Sequence, residues 1–248
     1  MSRLCAFCPN TANTLEHLWP DWILKSLSAS QPIRHSIGSR PAFYVNNPAV
    51  KVRVVCEQCN GGWMSDLETL NRPVIGALIH DISFPLDKAQ QANLTAWTLK
   101  TGLVLDAINR GERAPFYGAT ERSLLRTQSS IPSETTVWIA RFSGSGFHAG
   151  GTDIWLDQGE ILKAAQGCVT TVIIGHLAIQ SVTIRGLHPE YRAHPIETVA
   201  IKPGRWAQLL HKIWLPSGNV NWPPQLTFTS RGSLSIGALM DRWRTRKA

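Results

Sequence analysis

With 248 residues the chain has room for one large domain or two modest ones, each able to bury a core. Hydrophobic residues at 43% against 17% charged exclude a disordered chain, and no run approaches the ~18 apolar residues of a membrane span. The formal net charge of +8, carried mostly by residues 82–248, suits a polyanionic partner such as DNA, since phosphate contacts supply most sequence-independent affinity.

Cys5-Ala6-Phe7-Cys8 reads as a tight knuckle close to the start of the chain. Leu15-Glu16-His17-Leu18 alternates apolar and polar residues and predicts a short strand. Pro20 opens a short helix over 20–27, because proline suits a first turn and Trp22, Ile23 and Leu27 share one face. Residues 28–48, rich in Ser, Pro, Gly and Asn, predict a long loop. The alternation at 50–55 predicts a strand that runs into the second knuckle, Cys56-Glu57-Gln58-Cys59. Trp63, Leu67, Leu70, Val74 and Ile75 then form a helical stripe, with Pro73 as a kink. Leu94, Trp97, Thr101, Val104 and Ile108 predict a long amphipathic helix, and 119–128 a shorter one. Strands are expected at 135–142, 168–174 and 177–184, the last two joined by a tight turn at Gly175-His176, and a closing helix at 233–247. The fold class is therefore α+β, divided into a small unit at 1–82 and a larger helix and antiparallel-strand domain at 83–248.

Two Cys-x-x-Cys pairs, Cys5/Cys8 and Cys56/Cys59, have the spacing of a closed four-thiolate zinc site. A redox dithiol usually comes singly beside a βαβ pattern, which is absent here. The first residues show no basic-then-apolar leader, so a cytoplasmic location is expected, where thiols stay reduced and zinc is favoured over disulfides. Cys168 is left as a lone buried thiol.

Between the pairs lies Glu16-His17-x-x-Pro20, and Asn60 directly follows the last cysteine. Residues 4–63 therefore resemble the HNH, or His-Me finger, endonuclease family in its four-cysteine treble-clef form. More narrowly, Glu-His-Leu-Trp-Pro-Asp-Trp followed by Val-Cys-Glu-Gln-Cys-Asn-Gly-Gly-Trp-Met is similar to a bacterial and phage branch of that family. The resemblance implies a ββα-metal endonuclease that hydrolyses phosphodiester bonds, with DNA as the expected substrate. It implies His17 as the general base, because imidazole titrates near working pH. It also implies that Glu16, where Asp is usual, and Asn60 ligate one catalytic Mg²⁺ or Mn²⁺, while the zinc is structural. Lys51 occupies the place of the family's middle Asn, with Asn46 and Asn47 a few residues earlier. The rival reading is a non-catalytic zinc module that binds nucleic acid or protein.

Other polar residues have plainer readings. Asp66 and Glu68 fit a Ser65-x-x-Glu68 capping pattern or a solvated helix face. His35 reads as a solvated loop residue, and Trp19, Trp22 and Trp63 as packing around the zinc core. His188, Glu190 and His194 lack a companion ligand at recognisable spacing. Gly144, Gly146, Gly150 and Gly151 read as turn glycines. The basic groups at Arg110, Arg113, Arg122 and Arg126, and at Arg242, Arg244, Arg246 and Lys247, are the candidate phosphate-backbone contacts.

Overall fold

The computed structural model describes residues 3–27, 33–35, 43–45, 50–108, 115–144, 147–158, 161–186 and 209–228. The first knuckle closes through Cys5 N–H donating to the Asn10 carbonyl at 2.7 Å, and it is tied to the later chain by Ala6 N–H donating to Val54 O at 2.8 Å. Strand β1 (Thr14–His17) pairs antiparallel with β4 (Lys51–Val55), with Glu16 opposite Val52 and His17 opposite Lys51. An irregularity in this ladder falls between Thr14 and Glu16. Helix α1 (Asp21–Ser26) follows at once. Within the stretch expected as loop, β2 (Ile33–His35) and β3 (Phe43–Val45) pair antiparallel; the Ser, Pro, Gly and Asn of 28–48 masked that pairing in the sequence. The second knuckle is a single helical turn, α2 (Glu57–Cys59). It is continued by a wide turn at Asn60–Met64, broken at Gly62 (φ −100°, ψ −119°), that leads into α3 (Ser65–Ile79). Helix α3 runs on through Pro73, whose ring lies on the exposed side. Leu70, expected in its apolar stripe, is 57% exposed.

Short β5 (Phe84–Leu86) leads into α4 (Lys88–Ile108). Its sequence predicts one apolar face, yet every residue from Leu94 to Leu105 is buried. The reason is position: α4 touches α3, β4 and β5 on one side and the large sheet on the other. Its threonines are satisfied internally, with Thr95, Thr98 and Thr101 hydroxyls donating to the carbonyls four residues earlier. Gly102 fits this packing because a Cβ there would lie 2.9 Å from Thr170 Oγ1.

After α5 (Ala119–Gln128) the sheet is built from β6 (Thr135–Phe142), β7 (Phe147–Gln158), β8 (Ile161–Ile174), β9 (Leu177–Gly186) and β10 (His211–Trp214), in the order β10-β6-β9-β8-β7. Neighbours are antiparallel, and β12 (Thr227–Phe228) adds one parallel pairing to β6. Strand β11 (Val220–Trp222) pairs with β5. Strand β7 is not among the expected strands, because Gly150 and Gly151 read as turns; pairing opposite Thr171 and Thr170 holds them extended instead. One apolar cluster runs from Phe7, Trp19 and Ile23 through Ile75, Trp97 and Val104 to Val172, Ile174 and Ile213, across the expected boundary at residue 82. Among the described residues no helix is long and apolar enough to cross a membrane. The helix expected at 233–247 lies outside the described residues.

The β8–β9 turn caps α3. His176 N–H donates to Ile79 O at 3.1 Å, and Arg141 Nε donates to Asp81 Oδ1 at 2.9 Å from the neighbouring strand. Gly175, in that turn, has φ +54°, and a Cβ there would lie 2.5 Å from the Ile79 carbonyl oxygen. Gly175→Ala is accordingly expected to destabilise the protein by at least about 1–2 kcal/mol. Urea titration checks this, and an unchanged midpoint would mean that the turn does not hold α3.

Candidate functional site

Four sulfurs converge where the two knuckles meet. The Sγ atoms of Cys5, Cys8, Cys56 and Cys59 all lie within 4.8 Å of one another. Cys8 stands 3.5 Å from Cys56 and 3.7 Å from Cys59. A tetrahedral zinc with bonds of about 2.3 Å needs sulfurs about 3.8 Å apart, so the donor set fits such an ion. The Cys59 thiol, acting as donor, holds the Cys5 thiol down to about 4, and is itself pushed up by that contact and by burial. The frame around the sulfurs is also tied across the gap. Asn13 Oδ1 accepts from Glu57 N–H at 2.9 Å, Asn10 Nδ2 donates to Gln58 Oε1 at 3.2 Å, and Phe7 meets Trp63 edge-on at 5.0 Å. Cys168 is far from this group in sequence, and burial pushes its thiol up.

His17 ends β1 on the side facing away from the core. Its Nε2 lies 3.3 Å from Asp21 Oδ1, with side-chain exposures of 28% and 59%. The chain between them is anchored: Leu18 N–H donates to Val50 O at 2.9 Å, and Trp19 is fully buried. Lys51 sits directly across the ladder from His17, exposed, and Arg53 is exposed two residues on. Asp21 is the residue that sequence reasoning missed. The signal was present, since a carboxylate in the first turn after Pro20 lies four residues from His17.

Glu16 points the other way, as neighbouring strand residues do. It is 4% exposed, and Lys100 Nζ reaches its Oε1 at 3.4 Å and Glu68 Oε1 at 2.8 Å. Lys100 is 1% exposed, and its ammonium lies 5.9 Å from the centre of the Trp97 ring. Burial pushes the Glu16 carboxyl up against the pull of Lys100. Burial also pulls the Lys100 ammonium down, but Glu68 and Glu16 more than offset it, and it stands above the usual lysine value. Glu68 is thus neither a cap nor a solvated face residue: α3 has no side-chain cap, and the carboxylate faces Lys100. Asn60, by contrast, donates from Nδ2 to Thr14 Oγ1 at 3.3 Å. Glu16 and Asn60, expected to share a divalent ion, therefore have different partners. A buried carboxylate already neutralised by an ammonium is a poor donor for Mg²⁺ or Mn²⁺, which keep several waters. Among the described residues the cysteines are the one group of three or more His, Cys, Asp and Glu side chains able to hold a metal ion.

Elsewhere, Arg122 is buried against Asp106 and donates to the Tyr117 and Leu103 carbonyls, so it pins the 115–117 segment to α4 rather than tracking phosphate. Trp19 is core, Trp63 packs on the first cysteine knuckle, and Trp22 stacks with the Arg72 guanidinium at 5.4 Å. Arg110, Arg113, Arg242, Arg244, Arg246 and Lys247 lie outside the described residues, as do Asn46, Asn47, His188, Glu190 and His194. The chain matches no family model, no curated protein and no solved structure.

Two expectations follow. Elemental analysis should find one equivalent of zinc, and Cys56→Ser should lose it and unfold the knuckles, because metal binding there is coupled to folding; an intact, zinc-free protein would refute the assignment. For Lys100, a folded pKa above the unfolded one means that its stabilisation is full below about 10.4 and is lost as pH rises through the higher folded value. The Tm of the wild type should therefore fall more steeply above about pH 10.4 than that of Lys100→Met. Parallel curves would show that the ammonium is not held by the two carboxylates.

Proposed function

We propose that this chain hydrolyses phosphodiester bonds in nucleic acid, DNA being the expected substrate, with His17 as general base. The observation that carries the reading is the His17–Asp21 contact at 3.3 Å, half-exposed at the edge of a hairpin stapled by four cysteines. The order of knuckle, strand pair, knuckle and helix supports the treble-clef, HNH-like arrangement that the sequence suggests. With Nε2–H donated to Asp21, Nδ1 is left as the acceptor for a water proton, and the carboxylate steadies the imidazolium that forms. Asp21 takes the orienting role that the family gives to its middle Asn. Lys51, across the ladder, and Arg53 offer positive charge for the phosphate on the accessible side. No step is routed through a divalent ion at Glu16. Such ions accompany the polyanion, so the assay is run with Mg²⁺, with Mn²⁺ and with EDTA.

His17→Ala should lower cleavage of supercoiled plasmid by about 10²–10⁴-fold while keeping one equivalent of zinc and DNA affinity, since only proton transfer is removed. Asp21→Asn should lose about ten- to hundred-fold through a misoriented imidazole. Equal cutting by His17→Ala would place the chemistry elsewhere in the chain. A zinc-loaded wild type that binds DNA but cuts no nucleic acid under any of these conditions would favour the rival, a non-catalytic zinc module.

A further inference from the structure

We infer that Lys100 is a positioning residue for His17, acting through Glu16 from a helix outside the zinc-stapled unit. The inference rests on the His17 reading above for its catalytic meaning. Its structural part stands on the contacts alone.

The first consideration is what the core would otherwise choose. Position 100 lies in a helix stretch buried on every side, among Trp97, Leu99, Leu103 and Val104. Burying an ammonium there carries a large desolvation penalty, and an apolar side chain of similar volume usually serves stability as well or better. Filling space therefore does not account for a lysine. What the charge does is reach two carboxylates, one on α3 and one on β1, 84 residues away in sequence.

The second consideration is where that carboxylate sits. Glu16 immediately precedes His17, so the two share a peptide plane: one side chain is drawn inward and the other projects outward. The β1–β4 ladder is in register at Glu16 and His17 and sets which face each takes, but its register shifts just before them, between Thr14 and Glu16. Two ties on the inner face remove the slack. Asn60 holds Thr14 at 3.3 Å, and Lys100 holds Glu16 at 3.4 Å. With Glu16 anchored, the imidazole is aimed at Asp21 and the exposed edge. The groups facing the ammonium are Glu16 from β1, Glu68 from α3 and the Trp97 ring from its own helix. Glu68 makes the shorter contact, yet it lies on a different element from His17. That asymmetry separates positioning from plain cohesion.

The experiment compares full-length, zinc-loaded wild type with Lys100→Met, Glu16→Gln and Glu68→Gln. Lys100→Met and Glu16→Gln should each lower kcat on plasmid by up to about a hundred-fold, with KM within about twofold, as expected when a base is misplaced by up to about an ångström. Glu68→Gln should leave kcat within about twofold of wild type, although it removes the closer partner. The second readout does not need activity: the imidazole ¹⁵N and ¹H lines of His17 should move in Lys100→Met and stay in place in Glu68→Gln. If Lys100→Met does not retain zinc, Glu16→Gln is read in its place, since it breaks the same pair without emptying the core. A wild type that cuts nothing, with His17 lines that still respond to Lys100→Met, would sink the nuclease reading and keep the positioning. Unmoved His17 lines and unchanged kcat in Lys100→Met, or a Glu68→Gln that is as damaged as Glu16→Gln, would overturn the inference.

Discussion

The convergence of four cysteine sulfurs within 4.8 Å is the constraint from which the rest of the N-terminal architecture follows. It brings residues 5–8 against residues 56–59, and the chain between must leave and return within a few ångströms. The return is made by β4, which can then pair with β1 directly after the first knuckle. Once that pairing exists, alternation along β1 sends Glu16 inward and His17 outward, and the Pro20 corner carries Asp21 back to the imidazole. A hairpin this short is marginal in water by itself, so both the sulfur cluster and the packing beneath it are needed to hold the geometry.

That packing comes from α4. Lying between α3 and the large sheet, it joins the two halves of the chain into one apolar cluster, and it takes two charged residues into the interior. Each is matched: Lys100 by Glu16 and Glu68, and Asp106 by Arg122 and the backbone amides of Phe116 and Tyr117. Buried charges are tolerated only with such partners, and breaking one pair leaves an uncompensated charge in the interior. The same logic appears at the far end of α3, where the β8–β9 turn and Arg141 close on Ile79 and Asp81. The hairpin that carries His17 is therefore supported from beneath by a helix of the larger part of the chain.

Much of this was written in local spacing. The two Cys-x-x-Cys pairs announce a metal-binding cluster because a three-residue step lets both sulfurs turn toward one point. The alternation at 15–18 and 50–55 gives strands close to those observed, the 3.6-residue rhythm gives α3 and α4, and Gly175-His176 marks the tight turn, where Gly175 takes a positive φ. Each of these depends on residues within a few positions of one another. What the chain alone did not decide is which distant side chains share a partner. Nothing near position 100 tells that its ammonium meets a carboxylate at position 16 rather than solvent, and nothing near Glu68 separates a capping residue from the partner of a buried lysine. Strand β7 escaped for the same reason, since its glycines are held extended by pairing across to β8. Local pattern sets which backbone conformations are cheap; long-range burial and charge pairing choose among the contacts those conformations allow, and only the assembled tertiary structure brings the competing partners into reach.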